Sequence, residues 1–186
     1  MTCMLATRGT LADLSRPNTI VDQKLDGYRI LATREGDTVH LISRQGTDLT
    51  FMSPQVCAGL LELPLDSFTL DCELVAYDPN GISQLPLLLN NYSDRHLVAF
   101  DCLDADRIDV RSEPLYRRKE LLTLLVADRT DRISESVWTD TEGPALFEQY
   151  TAQNGEGVIC KRSDSEYSAG RTKDWRKIKP SYLEAV

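Results

Sequence analysis

Three short β-rich stretches, residues 19–23, 30–34 and 38–43, follow one another near the N-terminus, with Glu35-Gly36-Asp37 placed as a hairpin turn between the last two. Strands this short and this close in sequence pair antiparallel, so the chain is expected to build a sheet before it builds anything else. Residues 68–77 continue the pattern as a strand stopped by Asp78-Pro79-Asn80-Gly81, and residues 97–103 read as a further strand. Ser53-Pro54 sets an N-cap followed by proline at the first helical position, opening a short helix through Val56, Leu60 and Leu61.

The second half is more helical. Over residues 114–126, Leu115, Leu121, Leu122 and Leu125 recur at helical spacing with charged residues between them, which predicts an amphipathic helix packed on a sheet. A second helix is expected over about residues 141–153, with Leu146, Phe147 and Tyr150 inward and Asn154-Gly155 as its stop. Residues 158–161 and 175–179 read as closing strands. The fold class is therefore α+β, with mostly antiparallel β-sheets flanked by helices, and 186 residues make one domain.

No segment has the apolar core of a signal peptide or the length of a membrane span, so a cytoplasmic protein is expected. Cys3, Cys57, Cys72, Cys102 and Cys160 form no C-x-x-C pair and read as small buried hydrophobes, while His40 and His96 are too few for histidine-based metal ligation. A net charge of −8 opposes binding to nucleic acid, but Lys161, Arg162, Arg171, Lys173, Arg176, Lys177 and Lys179 crowd the C-terminal end and can form a local basic site.

The strongest chemical signal is Lys24-Leu25-Asp26-Gly27-Tyr28-Arg29, which lies between two strand-like segments. Glycine beside a lysine and an acid permits close backbone approach, and a tight turn lets lysine and arginine reach one ligand. Five further elements follow in order: Ser43-Arg44-Gln45-Gly46, Asp71-Cys72-Glu73-Leu74, Phe100-Asp101, Glu156-Gly157-Val158-Ile159-Cys160-Lys161 and Trp175-Arg176-Lys177-Ile178-Lys179.

These six elements resemble the motifs of ATP-dependent DNA ligases and capping enzymes, and the match spans nearly the whole chain. Arg111 with Pro114-Leu115 and Arg118, and Tyr167 with Gly170-Arg171, most resemble the ligase domains of bacterial end-joining enzymes of the ligase D and ligase C type. The resemblance implies an ATP-grasp-like nucleotidyltransferase domain that attaches AMP covalently to Lys24 and passes it to the 5′-phosphate of a nick in duplex DNA. It implies that Lys177 and Lys179 hold the phosphate, Glu73 with Arg29 binds the ribose, Phe100 stacks on the base, Arg44 and Lys161 belong to the nucleotide-binding set, and Glu156 associates with magnesium. Asp22 stands where many such ligases place a glutamate near the adenine amino group. NAD-dependent ligases share Lys-Leu-Asp-Gly without an arginine at the position of Arg29, which favours ATP. Trp175 reads as a packing residue.

Such ligases continue into an OB-fold domain, so the resemblance implies that residues 1–186 are a single adenylation domain, with an OB-fold excised or supplied in trans. An RNA ligase or capping-type nucleotidyltransferase would use the same lysine chemistry, because DNA and RNA preference turns on 2′-hydroxyl contacts. A catalytically silent nucleotide-binding module is the reading from another class. The presence together of Lys24, Arg29, Glu73, Glu156, Lys177 and Lys179 weighs against it.

The residue types suit the chemistry. A lysine attacks only when neutral, and at an unperturbed pKa near 10.4 roughly one in a thousand is neutral at pH 7.4. Nearby cations lower that pKa and also neutralise charge building on the α-phosphate; Arg29, Lys161, Lys177, Lys179 and a magnesium ion are the candidates.

Overall fold

The computed structural model describes residues 2–90, 94–127 and 130–182. Its elements run β1 (Met4–Arg8), β2 (Thr19–Gln23), β3 (Tyr28–Glu35), β4 (Thr38–Ser43), α1 (Pro54–Leu61), β5 (Ser67–Val75), α2 (Leu85–Asn90), β6 (His96–Ala105) and β7 (Ile108–Asp109). They continue through α3 (Leu115–Leu125), β8 (Ile133–Glu135), β9 (Trp138–Thr139), α4 (Gly143–Ala152), β10 (Val158–Arg162) and β11 (Gly170–Ile178). One sheet has the order β1-β11-β10-β2-β9, and the other runs β4-β3-β5-β6-β7 with β8 beside β6. Pairing is antiparallel except between β1 and β11 and between β6 and β8, so the expected α+β class with mostly antiparallel sheets is what the chain forms. The expected hairpin joins β3 to β4, with Glu35 opposite Thr38 and Gly36 in the left-handed region at φ 59°.

Strand alternation creates the layers. Ile30 and Ala32 of β3 and Leu70, Cys72 and Leu74 of β5 point into the main core, where Val56 and Leu60 of α1 and Leu122 and Leu125 of α3 cover them. The intervening residues point the other way, toward the second sheet, so Leu31 joins Met4, Leu103, Tyr167 and Trp175 in a cluster between the sheets. On the far side, Phe147 of α4 packs on Val21, Val158, Cys160 and Ile178. The order is helices, sheet, sheet, helix. Cys3, Cys72, Cys102 and Cys160 are buried among these side chains, as small hydrophobes are.

Several expectations need correction. β1 was not anticipated, and β11 begins at Gly170 rather than at residue 175, because its first half carries exposed charges that hide the strand pattern. Ser53 precedes α1 but makes no capping hydrogen bond; its hydroxyl accepts from Arg95 Nη1 at 3.2 Å instead. The charged face of α3 is not solvated throughout, since Arg118 and Lys119 are 0% and 1% exposed. Both turn inward because each finds a buried carboxylate, Asp101 and Asp22 respectively. Among the described residues, no helix is long and apolar enough to cross a membrane.

Candidate active site between the sheets

Lys24 follows β2, and its backbone N–H donates to the Gly157 carbonyl at 2.8 Å. The next three residues aim it. Leu25 is buried against Val75 and Val98, and Asp26 accepts from the Leu85 N–H at the start of α2 at 3.1 Å. A Cβ on Gly27 would stand 2.2 Å from the Leu74 carbonyl oxygen, so only glycine lets this loop lie against β5. Gly157 has the same function across the cleft: its φ is 129°, and a Cβ there would stand 2.1 Å from the Ile178 carbonyl oxygen. That close approach brings Glu156 beside Lys179.

The loops open onto a cavity of about 350 Å³ between the two sheets, within the roughly 300–1,000 Å³ typical of ligand clefts. Alternation supplies its walls. Arg29, Glu73 and Phe100 come from the inward face of one sheet, and Asp22, Ile159, Lys161, Trp175 and Lys177 from the facing sheet, while Arg44 and Arg171 also line it. Nine of the ten candidate residues therefore line one cleft, and the tenth, Lys179, joins it through Glu156. Trp175 packs in the intersheet core, edge-on to Tyr167, and also lines the cleft, so the packing reading covers only part of its position.

Charge is arranged in three groups. Glu156 bridges two lysines, one carboxylate oxygen meeting Lys24 Nζ and the other Lys179 Nζ. Burial pushes the Glu156 carboxyl up, but hydrogen bonds and attraction from Lys179 and Lys24 outweigh it and hold it below its ordinary value. Arg29 binds Asp71 through Nε at 2.9 Å and Nη2 at 2.6 Å, and Tyr167 donates its hydroxyl to the same carboxylate at 2.5 Å. Asp22 lies between Lys119 and Lys161, and the Lys161 ammonium sits 4.6 Å from the Phe100 ring centre and 4.4 Å from that of Trp175.

These pairings revise the sequence argument about cations. Arg29, Lys161 and Lys179 each face a carboxylate, so they neutralise less of a ligand's charge than their number suggests. Lys177, Arg44 and Arg171 line the cleft with no ion pair among the described residues. The C-terminal basic cluster is likewise reduced, because Arg162 pairs with Asp164 and Asp174 and Arg176 with Asp13.

Lys119 was missed by sequence, and Asp71 and Tyr167 were named there as parts of matching elements without a role at the site. Asp71 and Glu73 share a strand face at spacing of two, so a role for Asp71 was legible; Tyr167 was marked by its resemblance with Gly170-Arg171, which says nothing of its bond to Asp71. Among the described residues no three histidine, cysteine or carboxylate side chains cluster to hold a metal. Glu156 at the lysine end is the carboxylate best placed for a cation that takes most of its ligands from phosphate and water, as magnesium does.

Glu73 faces the cleft without a hydrogen-bonded partner among the described residues, and burial raises its carboxyl to about 8 despite the opposing pull of Lys24 and Arg29. The folded chain therefore holds this proton between about pH 4.5 and 8 while the unfolded chain has released it, so stability falls as pH rises through that window. Glu73→Gln should remove this fall, gaining on the order of 3 kcal/mol over the parent between about pH 5 and pH 8 in urea melts. A difference that is flat with pH would mean the carboxyl ionises as in water.

Comparison with known proteins follows the same lines. Residues 3–179 match the model of the ATP dependent DNA ligase domain. The chain is 35% identical to a DNA ligase of Haloferax volcanii over 95% of its own length and 34% of the relative's. It is 34% identical to the multifunctional non-homologous end joining DNA repair protein LigD of Mycobacterium tuberculosis, over 90% of the chain and 22% of that protein. The solved ligase domain of M. tuberculosis LigD superposes with a TM-score of 0.83 at 32% identity, covering 96% of this chain and 60% of that one. A mycobacterial DNA ligase D complexed with ATP and MES gives 0.83 at 31%, with the same coverage of both chains. The chain spans about a third or less of the length of these curated relatives.

Proposed function

Because the chain belongs to the ATP-dependent DNA ligase domain family, we propose that it forms a covalent lysyl-AMP at Lys24 and transfers the AMP to the 5′-phosphate of a nick in duplex DNA. The observation that carries this reading is one cleft lined both by Phe100 and Trp175, with the Arg29 and Lys161 cations against their rings, and by Lys24, which shares Glu156 with Lys179. A base needs aromatic faces and a triphosphate needs cations, and one cavity offers both. A related mycobacterial ligase has been solved complexed with ATP.

Lys24 must first give one proton to solvent; its neutral Nζ then bonds to the α-phosphorus as the bond to the pyrophosphate oxygen breaks, the second proton displaced by the new N–P bond passes to water, and pyrophosphate leaves with the electron pair. In the free chain Lys24 Nζ donates to Glu156, so the amine must leave that carboxylate to reach a phosphorus. Nucleotide binding is therefore expected to separate Glu156 from Lys24. Magnesium bound there with phosphate and water oxygens would supply positive charge at the phosphates. Lys177 and Lys179 hold the α-phosphate, Arg29 and Glu73 the ribose, and Phe100 the base. Lys161 and Asp22 close the base end.

The second substrate is DNA. Arg44 and Arg171, which have no ion pair among the described residues, favour a further anion such as the 5′-phosphate of a nick. At a net charge of −8 this domain is expected to grip a duplex weakly and with steep salt dependence, and to seal better with a ligase-type OB-fold domain added in trans.

Phe100→Ala should weaken ATP binding by about 1–3 kcal/mol, the scale of base stacking on an aromatic side chain. Calorimetric titration and thermal melting on one sample check it. Lost stability with unchanged affinity per folded molecule would make Phe100 a packing residue only.

A further inference from the structure

Lys24 and Glu156 meet from different loops, and the Lys24 N–H donating to the Gly157 carbonyl joins those loops at one point of the main chain. A single bond of this kind is a pivot, which sets a distance and leaves the loops free to swing about it. A second tie runs behind the cleft through Ser83 and Tyr150, both buried at 4% exposure. Ser83 stands just before α2, and its Oγ accepts from the Asp26 N–H at 3.0 Å, two residues past Lys24. A serine hydroxyl has one hydrogen and two lone pairs, so this bond leaves it capacity for another. Tyr150 of α4 takes that capacity, its hydroxyl hydrogen-bonded to Ser83.

The rest of Tyr150 holds the Glu156 loop. Its carbonyl accepts from the Gly155 N–H at 2.9 Å, and its ring lies so close to Gly155 that a Cβ there would stand 2.5 Å from Cδ1. Gly155 is thus seated on Tyr150 by both backbone and ring, which only glycine permits, and Glu156 is the next residue. Neither Ser83 nor Tyr150 lines the nucleotide cleft. Their effect on the chemistry must therefore pass through the two loops they join.

We propose that Ser83 and Tyr150 are positioning residues, a spacer that fixes the lysine loop against the Glu156 loop and so sets the aim of Lys24. Only the target of that aim rests on the adenylation reading. In-line attack tolerates little displacement, since a shift of about 1 Å from a distant change can cost on the order of a hundredfold in rate.

Ser83→Ala, Tyr150→Phe and the double variant are to be compared with the parent in two measurements, with thermal melting of each. In the first, the chain without ATP is treated briefly with acetic anhydride and its peptides are weighed, the exposed Lys173 serving as internal reference. Labelling of Lys24 relative to Lys173 should rise up to about fivefold in either single variant, the scale of a partly exposed ion pair that has come apart. The second sets single-turnover adenylation at saturating ATP beside an equilibrium ATP titration. The rate should fall about tenfold while the Kd for ATP stays within about twofold of the parent. The double variant should be no slower than Ser83→Ala, because both changes cut one link. If one single variant does not fold, the other carries both measurements. Unchanged labelling of Lys24 in the folded variants, or a Kd that rises as far as the rate falls, overturns the proposal. A parent that never forms a lysyl adduct defeats the adenylation reading instead, and the labelling of Lys24 then decides the spacer by itself.

Discussion

Lys24→Ala is expected to lose covalent AMP labelling completely while melting close to the parent temperature. The fold survives because Lys24 is on a loop at the cleft, and Glu156 keeps Lys179 as its partner when Lys24 is removed. A partly exposed ion pair of this kind contributes on the order of 1 kcal/mol or less. Lys24→Arg should fail equally, since a guanidinium keeps its proton at any useful pH and cannot attack phosphorus. Autoradiography of the denatured protein after incubation with α-labelled ATP reads both variants. Full labelling of Lys24→Ala would move the nucleophile elsewhere. The first suspect is then Lys177, which lines the cleft without an ion pair among the described residues, rather than Lys161, whose amine is buried against Asp22.

The largest stability effect should come from α3. Arg118 and Asp101 are both fully buried, joined by Nε at 2.8 Å and Nη2 at 2.9 Å, and Nη1 reaches the carbonyls of Glu113 and Ser165. This one side chain ties α3 to β6 and to the loop before β11. Arg118→Met strands a carboxylate with no access to water and is expected to cost about 3–5 kcal/mol, a large share of the roughly 5–15 kcal/mol that holds a domain together. For a chain of this size that lowers Tm by on the order of 10 °C. Arg118→Met combined with Asp101→Leu should recover much of the loss, because the stranded charge rather than the missing pair is the main cost. A single variant within about 1 kcal/mol of the parent in urea melts would mean that water reaches Asp101.

Legibility in the sequence followed the range of the interaction. The hairpin at Gly36, β2, β4, the start of α1 at Pro54 and the stop after α4 rest on local turn residues and alternation, and they stand where those put them, although the cap expected of Ser53 does not form. β1 pairs parallel with β11 from the other end of the chain, and no local signal announces such a partner. The inward turn of Arg118 and Lys119 was hidden for a different reason, since polarity patterns assign charge to solvent unless a buried carboxylate is known to be waiting. Even so, residues 115, 118, 119, 122 and 125 lie on one helical face, so the spacing held the information that polarity obscured. The candidate site was legible as a set of residue types in order. What the sequence could not supply was the pairing: that Arg29 is held by Asp71, Asp22 by two lysines, and Lys24 by Glu156.

The central claim is that this cleft makes Lys24 a nucleophile toward ATP. Its most direct test is the intact mass of the chain after incubation with ATP and magnesium, followed by peptide mapping. A mass increase of one AMP is expected, carried on the peptide containing Lys24, lost in acid and retained in base as a phosphoramidate is. No adduct at any magnesium concentration, or an adduct on a peptide that does not contain Lys24, would contradict it.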